Sequence, residues 1–274
     1  MPARLGQHFL SDERVRDRMA ACAQIGKGRR VLEIGPGRGM LTRAFLAAGA
    51  ELTAVEMDER LAAALEEEFS GRADFRLVRA DFLKLNLAEL GPASAGPFRI
   101  AANLPYSVAS PILQKILPWE PWDEAVLMFQ KEVALRIAAK PGTADYGVLT
   151  LSAWLYAQAE ILFDVGPRSF SPPPQVQSSV VRLVRRPKPM LDAARQALFF
   201  RMAKAAFSQR RKMAQTPIAQ AFAIPKNMAA RVLSECGLSP SCRAQDIPPE
   251  AYALLAEKFA ILKSKAAPED IEKS

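Results

Sequence analysis

Short apolar runs recur along the first half of the chain, each closed by loop residues and followed by a helix-forming stretch. They are VLEIG (31–35), ELTAVE (51–56), DFRLVRAD (74–81), FRIAANLPY (98–106) and AVLMFQKE (125–132). Runs this short and continuous suit strands buried on both faces, and a strand that returns parallel to its predecessor needs a crossover helix between them. The order therefore predicts an α/β fold built on a mainly parallel sheet with helices on both faces. LTRAFLAAGA and RLAAALEEEF supply intervening helices, with Asp58 as N-cap of the second. Segments 159–165 and 176–184, joined by the proline-rich GPRSFSPPPQ, read as a terminal antiparallel pair. From Leu191 the pattern is helical only, through ARQALFFRMAKAAF, NMAARVLSECG and PPEAYALLAEKFAIL. The boundary falls at Arg185-Arg186-Pro187-Lys188-Pro189. That predicts an α/β domain over 1–187, a smaller all-α domain over 188–264 and a disordered tail over 265–274.

Composition removes several function classes. Cys22, Cys236 and Cys242 are an odd set without CxxC spacing, which argues against a disulfide frame or a zinc site and for reduced thiols in the core. His8 is the only histidine, so a histidine-rich metal site has no second imidazole and a Ser-His-Asp or Cys-His mechanism would depend on His8 itself. No metal is expected. No run reaches the roughly 20 apolar residues of a membrane span, and the charged start MPARLGQHFLSDERVRDRM does not read as a signal peptide; a cytoplasmic protein without a membrane partner is expected. Lys and Arg number 37 against 29 Asp and Glu, a net charge of +8, which favours a polyanionic partner. Part of that excess is local. Arg182, Arg185, Arg186, Lys188, Arg195, Arg201, Lys204, Arg210, Arg211 and Lys212 face a single acid, Asp192, in the same stretch. Such a run is either solvated helix surface or a phosphate-binding strip.

The segment Glu33-Ile34-Gly35-Pro36-Gly37-Arg38-Gly39 leaves a strand and enters a helix. Glycines there permit a tight turn and let a ligand approach bare backbone at the positive end of the helix. The spacing is not GxGxxG, and an acid, Glu33, stands in the strand just before the turn. A pyrophosphate would be repelled by it, whereas a cationic sulfonium amino acid would be accepted. A tight strand-to-helix turn with no ligand remains the plain alternative. Two further acids match. Glu56 ends the second strand, where a carboxylate can accept both hydroxyls of a ribose, and Asp81 ends the third, where it can accept from an adenine amino group. Met57 and Phe82 follow those acids and either sandwich the base or serve as ordinary packing. Acids at three successive strand ends point to S-adenosylmethionine rather than NAD.

Asn103-Leu104-Pro105-Tyr106 follows the fourth strand and so lies at the same rim. Pro105 pushes Leu104 into extended backbone, so the Leu104 carbonyl is held in one direction beside the Asn103 amide oxygen. Two adjacent acceptors suit the two N–H donors of a planar exocyclic amine, a poor nucleophile until positioning draws its lone pair out of conjugation. Tyr106 offers a stacking surface. Phe170, in the stiff FSPPPQ loop, offers the second face that an unstacked base requires, or else simple packing.

This combination resembles the ribosomal RNA adenine N6,N6-dimethyltransferases, Rossmann-like class I methyltransferases, and within them the small-subunit branch. The similarity runs from GQHFL (6–10) through EIGPGRG, VEMD, RADFLK and NLPY to MFQKEVALRI, FSPPPQVQSSVVRL and FSQRRKM (207–213). It implies S-adenosylmethionine held by Gln7, His8, Leu10, Glu33, Gly35, Gly37, Gly39, Glu56, Met57, Asp81, Phe82 and Asn103. The target adenine is implied to be bracketed by Tyr106 and Phe170, with Asn103 and Leu104 orienting its amine and Arg210, Arg211 and Lys212 holding RNA. The implied reaction dimethylates two adjacent adenosines near the 3′ end of 16S-type RNA within an immature small subunit, with the enzyme acting as a monomer. His8 stands where the family usually has asparagine, and Val148 where a basic residue is usual. Rival expectations are a large-subunit dimethyltransferase of the macrolide-resistance type, a nucleic-acid-binding assembly or transcription factor on the same fold and, weakest, a NAD-dependent oxidoreductase.

Overall fold

The computed structural model describes residues 8–266, so Gln7 lies outside the described residues. The chain forms two compact units. The first takes in the chain up to Leu135 together with Ala157–Arg186, and the second Arg136–Tyr156 together with the chain from Pro187 onward.

The first unit is built on a seven-stranded sheet of β1 (Arg30–Ile34), β2 (Glu51–Glu56), β3 (Phe75–Arg79), β4 (Phe98–Asn103), β5 (Trp122–Gln130), β6 (Ala157–Val165) and β7 (Ser178–Arg185). Their order across the sheet is β3-β2-β1-β4-β5-β7-β6. The pairings β3–β2, β2–β1, β1–β4 and β4–β5 are parallel, while β7 runs antiparallel to both of its neighbours. The expected class holds: a mainly parallel Rossmann-like sheet whose last strand is reversed. The helices α1 (Glu13–Cys22), α2 (Met40–Ala47), α3 (Glu59–Glu68) and α4 (Ala109–Ile116) belong to this unit. Asp58 caps α3 as expected, its carboxylate accepting from the Arg60 and Leu61 N–H groups. An apolar cluster that includes Met19 of α1, Phe45 of α2, Val31 of β1 and Leu52 of β2 fills one layer.

The strand order reverses direction between β1 and β4, which opens a crevice at the carboxyl ends of these strands. At the opposite ends an ion network centred on the buried Arg99 and Glu124 ties β4, β5 and β7 together. Arg99 reaches Glu124 at 3.0 Å and Asp123 at 3.3 Å and donates to the Ala23 carbonyl; Arg182 pairs with the same Glu124 and with Glu160; Arg29 pairs with Asp123.

The helix α5 (Lys131–Ile137) leads from the first unit into the second, which contains α6 (Val148–Tyr156), α7 (Ala193–Ser208), α8 (Gln215–Phe222), α9 (Lys226–Glu235) and α10 (Pro249–Ala266). An aromatic cluster holds it. Phe199 of α7 stacks with Trp154 of α6 and meets Tyr252 of α10 edge-on, while Phe207 contacts both Tyr252 and Tyr146. The Tyr146 hydroxyl donates to the Ile247 carbonyl and the Tyr252 hydroxyl to the Ala244 carbonyl, so both buried phenols are satisfied.

Three expectations change. The division at residue 187 describes where the second unit resumes, but 136–156 belong to that unit too, since the apolar α6 packs on α7. Lys265 and Ala266, expected in the tail, instead continue α10; residues 267–274 lie outside the described ones. The three free cysteines are each partly exposed rather than fully in the core.

The ion network yields a stability prediction. Arg99→Met takes one partner from the buried Glu124 and one from the partly exposed Asp123, so it should cost about 3 kcal/mol, and adding Glu124→Leu should recover part of the loss. Urea melts of the single and double variants check this.

Candidate active site

The strands β1, β2, β3 and β4 end at the rim of one cleft of about 390 Å³, within the usual range for a small-molecule site. The turn after β1 is made by glycines. Gly35, Gly37 and Gly39 have φ of 68°, 58° and 75°. A Cβ on Gly37 would come within 3.0 Å of the Phe9 ring, and one on Gly39 within 2.9 Å of Leu65, so crowding as well as backbone conformation excludes larger residues there. Phe9 lies in a two-residue strand that pairs antiparallel with Phe170–Ser171, and the Arg38 guanidinium sits 4.5 Å from the centre of its ring. Residues 8–10 thus form a strap beside the glycine turn.

Glu33 is 1 % exposed. Its Oε2 accepts from the Thr42 hydroxyl of α2 at 2.7 Å. Burial pushes its carboxyl from an ordinary 4.5 up to about 8; the Thr42 hydrogen bonds oppose that rise and the neighbouring Glu56 charge adds to it. Glu56 is also buried but accepts three backbone N–H groups, from Gly37 on Oε2 and from Met57 and Asp58 on Oε1, at 2.9–3.0 Å. A carboxylate has about four in-plane acceptor positions, so roughly one remains for an incoming hydroxyl. The same acid therefore shapes the glycine turn and offers an acceptor to a ligand. Asp81 accepts from the Leu83 N–H at 2.9 Å and stays partly exposed. Phe82 is buried against the cleft, whereas Met57 is 63 % exposed at its edge.

At the end of β4 the Asn103 amide donates Nδ2 to the His8 carbonyl at 3.3 Å, and its oxygen accepts nothing from another described residue. Leu104 is buried in the cleft wall. The Tyr106 hydroxyl shares a 2.6 Å hydrogen bond with Ser178, and burial pushes this phenol's pKa up. The His8 ring lies 5.5 Å from the Tyr106 ring, with Nδ1 2.9 Å from the Pro172 carbonyl.

The cleft brings together His8, Leu10, Glu33, Gly35, Gly37, Glu56, Met57, Asp81, Phe82, Asn103, Leu104 and Tyr106. Gly39 stands just outside its lining as the N-cap of α2. Phe170 is not part of the wall either: at 3 % exposure it belongs to the apolar cluster, beside Leu10. Sequence reasoning passed over Phe9, Thr42 and Ser178. Phe9 sits within the quoted GQHFL and was legible there, whereas Thr42 and Ser178 act only through contacts across the fold.

Arg210, Arg211 and Lys212 form an exposed turn after α7, with the Arg210 guanidinium 5.5 Å from the Phe207 ring centre. The wider basic run is not one free strip. Arg182 is held by Glu124 and Glu160, Arg195 pairs with Asp192, and Arg201 donates to the Ala221 carbonyl.

The chain matches the model of the family described as ribosomal RNA adenine dimethylase over residues 2–260. It is 43 % identical to the ribosomal RNA small subunit methyltransferase A of Rhodospirillum rubrum, over 92 % of this chain and 85 % of the relative. The protein of the same name from Bacillus cytotoxicus is 36 % identical over 95 % and 92 %. Among solved structures, the 23S rRNA methyltransferase ErmE is 29 % identical with a TM-score of 0.70, covering 92 % of this chain and 99 % of that one. A dimethyladenosine transferase from Plasmodium falciparum has the same fold, with a TM-score of 0.79 at 24 % identity over 93 % of this chain and 98 % of that one.

The Glu33 environment predicts a pH dependence. Between about 4.5 and 8 the folded protein keeps a proton that the unfolded chain has released, so this group's contribution to stability is lost as pH rises through that window. Thermal melts from pH 5 to 8 should therefore show a smaller loss of stability in Glu33→Gln than in the parent; equal losses would contradict the assignment.

Proposed function

The chain belongs to the ribosomal RNA adenine dimethylase family, and from that premise we propose how its residues carry out the reaction. The protein is an S-adenosylmethionine-dependent methyltransferase acting on adenine N6 of small-subunit ribosomal RNA. When bound, the cofactor would supply an electrophilic methyl group on a sulfonium sulfur for the adenine N6 amine.

The cleft suits that group. The Glu33 carboxyl offers an acceptor beside the glycine turn that a cationic amino acid would draw toward ionisation, the remaining acceptor position of Glu56 receives a ribose hydroxyl, and Asp81 with Phe82 receives the adenine. His8 and Leu10, which line the cleft, would contact it.

The observation that carries the catalytic reading is the Asn103 amide. Its nitrogen is committed to the His8 carbonyl, so its oxygen is the end left for an incoming donor. That oxygen and the Leu104 carbonyl accept the two N6–H groups and hold the lone pair toward the methyl carbon. Tyr106 is fixed through Ser178 and stacks one face of the base. Phe170 would have to leave its buried position to cover the other. The proton released after transfer passes to water, and a second cycle gives the dimethylated amine.

The exposed Arg210, Arg211 and Lys212 turn would contact RNA phosphates, which makes binding salt-dependent. The proposed substrate is the pair of adjacent adenosines near the 3′ end of 16S-type RNA in an immature small subunit, modified in the cytoplasm by a monomer. Among the described residues no helix is long and apolar enough to cross a membrane.

Incubating immature small subunits with labelled cofactor and mass-mapping the RNA tests this reading. Up to two methyl groups on each target adenine are expected, whereas label confined to large-subunit RNA would overturn it. Asn103→Ala should cut transfer by about a hundredfold or more while cofactor binding survives.

A further inference from the structure

Lys115 lies in the last turn of α4, three residues after Ile112, which lines the cleft. Its ammonium does not cap its own helix. It donates to three carbonyls of one loop, Phe82 at 2.8 Å, Leu83 at 2.8 Å and Leu85 at 2.6 Å, and lies 5.6 Å from the centre of the Phe82 ring. An ammonium has three N–H donors, so all three are spent on this loop.

The loop is the one that follows β3. Asp81 opens it, taking the Leu83 N–H on its carboxylate and the Lys84 and Leu85 N–H groups on its own carbonyl. That tight turn leaves the carbonyls of residues 82, 83 and 85 without partners inside the loop, and three carbonyl dipoles converging on one point repel each other unless a cation sits between them. No local sequence signal marks this, because Lys115 is 34 positions from Asp81 and reads as an ordinary basic residue near a helix end.

We propose that Lys115 is a positioning residue for the cofactor: by gathering the Phe82, Leu83 and Leu85 carbonyls it fixes the Asp81–Phe82 turn in the conformation that receives the adenine. It also ties that turn to α4, the helix that starts immediately after the Asn103–Tyr106 motif, so the two ends of the cleft share one support. The inference rests on the reading that Asp81 and Phe82 hold the adenine. Lys115 touches neither the base nor the reacting atoms, so its loss should weaken binding and leave chemistry alone.

Lys115→Met keeps the aliphatic stem and removes the donors. It should raise the KM for S-adenosylmethionine about tenfold, as expected when charge-assisted hydrogen bonds that preorganise a binding loop are lost, with kcat within about twofold of the parent. The Kd of S-adenosylhomocysteine should rise by a similar factor, and the Leu83, Lys84 and Leu85 amides should exchange hydrogen faster. Lys115→Arg, which retains donors, should recover much of the affinity. An unchanged KM and Kd in a folded Lys115→Met protein would overturn the proposal, as would a fall in kcat with KM unchanged. Asp81→Ala measured alongside separates the two levels. Weak binding in Asp81→Ala with normal binding in Lys115→Met refutes only the role of Lys115, whereas normal binding in Asp81→Ala refutes the reading beneath it.

Discussion

Parallel pairing that continues one residue past the strands is the constraint on which the site depends. The Gly35 N–H donates to the Val55 carbonyl and the Ala80 N–H to the Glu56 carbonyl, so the ladder holds until each strand must turn away. That fixes Gly35, Glu56 and Asp81 along one rim in a set register. The β1–β4 pairing adds Asn103 to the same rim from the other side of the switch in strand order. These groups meet because the sheet brings their strand ends together, although 70 residues separate Glu33 from Asn103 in sequence.

Electrostatics then gives each acid a distinct job. Glu33 has one hydroxyl partner and no cation, so burial holds it in the neutral form over much of the physiological range. Glu56 is surrounded by backbone donors and acts as the clasp of the glycine turn. Asp81 remains partly open at the head of a turn secured from behind by Lys115. A ligand that brings its own positive charge would favour ionisation of Glu33 and fit beside Glu56, whereas phosphates would be repelled there, which is why the cleft suits a sulfonium cofactor and not a dinucleotide.

Much of this was legible in the sequence. Strand runs, glycine turn, Asp58 cap and reversed last strand each rest on a local signal: an apolar run, residues that tolerate positive φ, a side chain that caps. What was hidden depends on distance in the chain. α6 reads VLTLSAWLY, with only Thr150 and Ser152 interrupting its apolar run, so no periodicity marks which unit it joins; that is decided by Trp154 meeting Phe199. The burial of Phe170 follows from its pairing with Leu10, and the compensation of Arg182 from Glu124 and Glu160 on neighbouring strands. Counting charges along the sequence overstates the free basic surface for the same reason.

The proposed site places the cofactor adenine at Asp81 and Phe82 and the cofactor sulfur toward Asn103. A crystal structure of the protein with S-adenosylhomocysteine tests it most directly. The adenine amino group should lie within hydrogen-bond distance of the Asp81 carboxylate, a ribose hydroxyl on Glu56 and the sulfur facing the Asn103 side chain. An adenine lodged against the Asn103–Tyr106 motif, with the amino acid portion at Asp81, would contradict it.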